Sequence, residues 1–371
     1  MATVEEIIGR TDPNDIDAIL AITNTDVDEV EHVVADNSDA IFTWNYHKGE
    51  RPKLEKLYEK AKTSQWNAET DLDWSIDVDP LQISTEIYER DKDIPQPVDL
   101  TGTGAEKWEK DEWINFGMES SAWALSQFLH GEQGALLATA KIVETVPFYD
   151  AKLYASTQVM DEARHVEVFA KYLDTKLENS YPVNAHLRLL LDDIINDSRW
   201  DMTYLGMQIM VEGLALAAFG FMHQMTTEPL LKKLLRYVMS DEARHVAFGV
   251  LSLQEVYDGF TAAEIRERQE FAFEAALRMR DRFLQQEVWE RQGVDTRIIA
   301  PRLFASPDNQ EFQHLLFTKI VPNCKKLGLL DAADGWLRQK FGEINVIQYE
   351  DWVDTSEEYD AFAITDELQS A

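Results

Sequence analysis

One cysteine, Cys324, is the chain's whole supply of thiol. It excludes an intrachain disulfide and a thiolate metal cluster built within one chain, and it fits a reducing cytoplasm. Basic side chains are also scarce. There are 35 Lys and Arg against 68 Asp and Glu, a formal charge of −33. Such a chain is repelled on average by duplexes and anionic bilayers, which argues against nucleic acid as a partner. The simplest meaning of the acid excess is solubility. The opening stretch has no basic region followed by an apolar run, so no secretory signal is expected there. Long apolar runs are missing too. The longest, Met207 to Met222, is broken by Glu212 and is too short to span a bilayer comfortably, so no membrane span is expected. Segments rich in β-branched residues with period two are rare, which leaves an all-α fold.

Helical periodicity is abundant from residue 110 onward. It predicts helices over 110–145, 149–178, 199–226, 229–258 and 262–292, with shorter ones at 185–196, 308–326 and 331–342. Their boundaries have causes. Pro147 stops the first. Thr227, Glu228 and Pro229 supply a cap and an early proline for the fourth. Thr261 and Glu264 form a capping box for the fifth. Upstream, 14–36 reads as a weak helix and 50–64 as a charge-paired one. The Asp-rich stretch 66–84 reads as irregular chain held on the core by Trp66 and Trp74. After Lys340 there is no Lys or Arg, only acids with a few aromatics. The expected organisation is an N-terminal extension (1–109), a helical bundle (110–292), and C-terminal helices with an acidic tail (293–371).

The hexapeptide DEARHV occurs twice, at 161–166 and 241–246. In each copy Glu and His lie three residues apart, close to one helical turn, so Glu162 and His165 share a face, as do Glu242 and His245. Two further acids stand in apolar helices. Glu212 lies within MQIMVEGLALAAFGFMH and Glu132 within WALSQFLHGEQGALLATA. An ionised carboxylate in such surroundings is costly unless paired or bound to a cation. Glu162 follows Glu132 by 30 residues, and Glu242 follows Glu212 by 30. A turn lies near the middle of each interval. Folding each pair into an antiparallel hairpin returns its two glutamates to one depth, about 20 Å from the turn. Two hairpins face to face then bring Glu132, Glu162, His165, Glu212, Glu242 and His245 to one level.

Four carboxylates and two imidazoles in a bundle core are a ligand set for two metal ions. Oxygen and imidazole donors without thiolate suit iron or manganese better than copper(I) or structural zinc. Asp161 and Asp241 are placed to accept the outer N–H of a ligand histidine, and Arg164 and Arg244 to neutralise those aspartates. The duplication then has a purpose: each ion has its own Glu-x-x-His and its own supporting pair. Phe128, Ala135, Leu136, Phe169, Ala215, Leu216, Phe219 and Phe248 lie about one turn from the proposed ligands and are candidates for an apolar substrate cavity.

At these residues the sequence resembles the ferritin-like carboxylate-bridged di-iron superfamily over about 110–260. DEARH fits the DExRH pattern of bacterial multicomponent monooxygenase hydroxylases and is close to the EENRH and DEKRH boxes of acyl-carrier-protein desaturases. The resemblance implies a four-helix bundle core with two iron ions, or manganese with iron, and O2 as co-substrate. It also implies an electron donor such as a ferredoxin or reductase, and a homodimer is common in such proteins. Four positions depart from subfamily patterns. Phe169 stands where ribonucleotide reductase subunits carry a radical tyrosine. Val238 stands where arylamine N-oxygenases add a histidine. Leu216 and Ala215 stand where hydroxylases and desaturases, respectively, carry threonine.

The expected function is a hydroxylase or monooxygenase of an apolar organic molecule. The alternatives are an acyl-chain desaturase, a ferroxidase or peroxide-consuming protein, or a ribonucleotide-reductase-like subunit. Arg266, Arg268, Arg278, Arg280 and Arg282 form a basic stretch that reads either as a dock for an acidic donor or as an internally paired face.

Overall fold

The computed structural model describes residues 7–23, 50–94 and 98–364. Among these the regular elements are all helical. Four long helices form the core. They are α3 (Lys110–Thr145), α4 (Tyr149–Tyr172), α6 (Trp200–Met225) and α7 (Pro229–Tyr257). Around them lie α1 (Pro52–Thr63), α2 (Pro80–Asp91), α5 (Ala185–Asn196), α8 (Ala262–Asp281) and α9 (Pro307–Lys326). Short connections join α3 to α4 and α6 to α7. The core closes as a ring in which α3 packs on α4, α4 on α7, α7 on α6 and α6 on α3. This is the ferritin-like bundle.

The ends of these helices follow from the chain. Val146 leaves helical geometry just before Pro147. The Glu228 carboxylate accepts from Leu230 N and Leu231 N, capping α7 with Pro229 in its first turn. Thr261 and Glu264 make the expected capping box. Two expectations need correcting. The stretch 66–84 is not wholly irregular, because Asp79 accepts from Leu81 N and Gln82 N and Pro80 opens α2. The helix expected over 262–292 breaks at Gln285, whose φ of 51° is left-handed, and Gln286–Arg291 forms a separate helix. Of the stretch 14–36, Ile16–Leu20 is helical, and 24–36 lies outside the described residues.

α6 is largely buried. It is long and apolar enough to cross a membrane by length and composition, longer than the apolar run suggested, but it runs through protein. Over Leu205–Val211 its ladder widens to a π-helical turn, ending where Glu212 begins. Such widened turns cluster at functional sites, because one extra residue re-aims the side chains that follow. α7 packs closely against this segment through Gly249, where a Cβ would come within 2.6 Å of Gln208 Cβ. One apolar core extends from Leu54 through the bundle to Ile364, so both flanks share its packing.

Candidate metal centre

The four core helices each deliver one glutamate to the same level, with Glu132 from α3, Glu162 from α4, Glu212 from α6 and Glu242 from α7. His165 and His245 join them from α4 and α7. All six are buried. His165 Nδ1 lies 3.1 Å from Glu242 Oε1, 3.2 Å from Glu132 Oε2 and 3.4 Å from Glu162 Oε2. His245 Nδ1 lies 3.1 Å from Glu162 Oε1 and 3.7 Å from Glu242 Oε1. The potential donors form two overlapping groups. Glu132, Glu162, His165 and Glu242 make one; Glu162, Glu212 and His245 make the other. Glu162 belongs to both.

The outer nitrogens of the histidines reveal a crossed arrangement. His165 Nε2 lies 3.1 Å from Asp241 Oδ2, and His245 Nε2 lies 3.3 Å from Asp161 Oδ2. Each hexapeptide's aspartate therefore supports the other copy's histidine, not its own. This corrects the expectation of two self-sufficient sets. A carboxylate at Nε2 holds a proton there, so that Nδ1, which faces the glutamates, is the nitrogen that would bind a metal on losing its own proton. The arginines also cross over. Arg164 Nη2 donates to Asp161 at 2.6 Å and to Asp241 at 2.8 Å, and Arg244 pairs with Asp241 and approaches Asp161 at 3.5 Å.

Three contributors were not foreseen. Gln158 Nε2 donates to Glu162 Oε1 at 2.9 Å and to Glu212 Oε1 at 3.0 Å. Its position one turn before Glu162 was the available signal. Trp66 was assigned to the core, where it packs. It also donates from Nε1 to Asp241 Oδ2 at 2.8 Å, while Gln65 donates to Asp161 at 2.9 Å. Those contacts come from 96 to 175 residues away in sequence, so no local pattern carries them.

Electrostatics follow from burying so many acids together. Burial, then Glu242, pushes the Glu132 carboxyl well above the usual range; burial, then Glu162 and Glu242, does the same to Glu212. Burial opposes ionisation of Glu162 as well, but His245 and His165 outweigh it and hold that carboxyl low. Burial would lower both imidazoles, yet Glu132 raises His165 and Glu162 raises His245 well above the ordinary value. Protons thus stand where positive charge is needed. Among the described residues, Glu162 Oε2, Glu212 Oε2, both Glu242 oxygens and His245 Nδ1 have no hydrogen-bond partner. Orphaned buried acceptors are costly. A pair of dications satisfies them, and oxygen with imidazole is the donor set for such ions. Cys324 is buried elsewhere, and burial lifts its thiol to about 12.

The substrate-cavity expectation divides. Phe128, Ala135, Ala215 and Phe219 line a cavity of about 20 Å³ beside Glu132, Glu212 and Glu242. Leu136, Phe169, Leu216 and Phe248 are not among its lining residues. Phe169 packs behind it on Phe128 and Phe219, with ring centroids 5.9 and 5.8 Å away, and Phe248 packs on Tyr154 and Tyr204. The arginine stretch is not an exposed basic face. Arg268 pairs with Asp201, Arg278 with Glu274 and Arg280 with Asp281; Arg266 lies over Trp336, and Arg282 is buried.

No protein-family model and no curated protein matches the sequence. Solved structures of R2-like ligand-binding oxidase variants with anaerobically reconstituted Mn/Fe cofactor do resemble this chain. One is 19% identical, covering 76% of this chain and 98% of its own, at a TM-score of 0.47. A second is 17% identical over the same shares at 0.49, and a third is 18% identical over 82% and 98% at 0.42. Likeness at this level carries no chemistry across. By its own geometry the chain is a ferritin-like helical bundle whose core gathers four carboxylates and two imidazoles into a site suited to two metal ions.

Proposed function

We propose that the protein is an O2-using di-metal oxidoreductase, with Glu132, Glu162, His165, Glu212, Glu242 and His245 holding two iron ions or manganese with iron. The observation that carries this reading is the inward Nδ1 of both histidines among buried carboxylates, several of whose oxygens have no hydrogen-bond partner among the described residues. Two such ions bound together supply binding and reduction of O2, with electrons from a ferredoxin- or reductase-type donor. The chain's own residues do the rest. Asp161 and Asp241 hold the imidazole protons outward, Gln158 ties Glu162 to Glu212, and the phenylalanines keep water from the glutamates.

The finer proposal is hydroxylation of an apolar organic substrate in a cytoplasmic setting. A cleft of about 300 Å³ supports it. Leu125, Tyr172 and Met222 line that cleft, three residues from Phe128, Phe169 and Phe219 on the same helices. The three rings pack on one another about one turn along those helices from the cleft's lining residues. Metal analysis after anaerobic loading with Fe(II) and Mn(II) should give two ions per chain, followed by O2 consumption that requires a reductant. Uptake far beyond two ions would replace this reading with iron storage, and no uptake would end it. Product mass then separates hydroxylation, which adds oxygen, from desaturation, which removes two hydrogens.

A further inference from the structure

The cleft of about 300 Å³ is bordered by α2, and its lining defines what fits it. α2 touches α3 through Ser84, where a Cβ at Gly117 would come 3.4 Å from the Ser84 hydroxyl oxygen. Ile83 and Ile87 of α2 line the cleft, as do Met222 and Met225 from the end of α6 and Leu231 from α7. Ile87 is 45% exposed and Met225 51%, so both keep apolar surface in water that an occupant would cover. Methionine is concentrated here, since Met118, Met222 and Met225 are three of the chain's ten. Among the described lining residues Tyr172 is the single aromatic. Bendable thioethers conform to a flexible chain better than to a flat ring.

The charged residues of the lining are unevenly paired. Arg90 is held by Asp91, with Nε and Nη2 each 2.7 Å from that carboxylate. Glu228 is filled, because one oxygen accepts from Leu230 N and the other from Leu231 N and Tyr172 OH. Glu119 is half-filled. Tyr181 OH donates to its Oε2, Arg291 stands 3.6 Å from the same oxygen, and no described residue bonds Oε1. An anionic guest would face two carboxylates and an arginine already neutralised. A cationic guest gains an open carboxylate oxygen and the field of a chain with a formal charge of −33. We propose that the cleft takes an aliphatic primary amine, its ammonium on Glu119 Oε1 and its hydrocarbon among Ile83, Ile87, Leu125, Met222 and Leu231. This inference rests on the reading of the cleft as the substrate's site, and it narrows that substrate to an amine. At about 30 Å³ per water-sized group the cleft has room for roughly ten non-hydrogen atoms, so a chain of about eight carbons fits.

The test is thermal unfolding of the full chain loaded with Mn(II) at neutral pH, with octylamine, 1-octanol or octanoate added at matched ionic strength. The amine is cationic there, as a lysine side chain is. Octylamine should raise Tm saturably at about tenfold lower concentration than 1-octanol, and octanoate should give the smallest shift. Glu119→Gln keeps an acceptor for Tyr181 and removes the charge. It should bring octylamine to the level of 1-octanol and leave 1-octanol unchanged. Met225→Trp, at a half-exposed position, should fill the cleft and abolish all three shifts. Equal shifts from octylamine and 1-octanol overturn the proposal, as does an octylamine advantage that survives Glu119→Gln. Shifts that survive Met225→Trp remove the cleft as the site. Metal content measured on the same samples separates the two readings. Two ions without an amine-specific shift remove the amine and leave the metal centre. An amine-specific shift without bound metal does the reverse.

Discussion

The two copies of DEARHV are identical in sequence and unequal in setting. On α4 the first copy presents Ala163 to solvent, whereas every residue of the second copy on α7 is buried. Asp161 receives Gln65, Arg164 and His245. Asp241 receives Trp66, Arg164, Arg244 and His165. Burial would raise the Asp241 pKa, but Arg244, His165 and Arg164 together hold that carboxyl well below the usual range. The repeat therefore supplies a two-fold ligand pattern, while the surrounding helices make one copy the electrostatic anchor.

Breaking the shared element should have the largest effect. Glu162 lies in both donor groups, so Glu162→Ala should lose both ions, while His245→Ala should leave one, as metal analysis per chain would reveal. The aspartates come next. Asp241→Ala removes the close partner of Arg244 and one partner each of Arg164, His165 and Trp66, and should cost about 3–5 kcal/mol in urea unfolding. Asp161→Ala leaves both arginines on Asp241 and should cost about 2 kcal/mol. Equal losses would erase the asymmetry between the copies.

The sign of the pH effect follows from the raised histidines. In the metal-free protein His165 and His245 hold protons at pH values where free imidazole has lost them, as Glu132 and Glu212 do for carboxylates. Metal must displace those protons, so Mn(II) should bind more weakly at pH 6 than at pH 8 and release protons into a weakly buffered solution. The smallest effect is expected at the edge of the network. Trp66→Phe removes one donor to Asp241 and should cost about 1.5 kcal/mol while both ions stay bound.

Much of the centre was legible because helix geometry is local. The i, i+3 spacing of Glu and His, the acids in apolar helices and the matched 30-residue intervals each report on one helix or one hairpin. The crossed aspartates were not legible, since the sequence pairs Asp161 with His165 by proximity and only the packing of α4 on α7 exchanges them. The helical start at Asp79 and Pro80 was a readable cap overlooked among many aspartates. The break at Gln285 was not readable, because no glycine or proline marks it.

By itself, then, the chain's sequence determined four amphipathic or apolar helices, their turns, and six side chains set at one depth, because periodicity and caps act within a few residues. The tertiary structure decided which aspartate serves which histidine, that Trp66 reaches Asp241, and that Arg282 lines the inner cavity. Those outcomes depend on which helix faces meet across long sequence separations, and no local pattern encodes that.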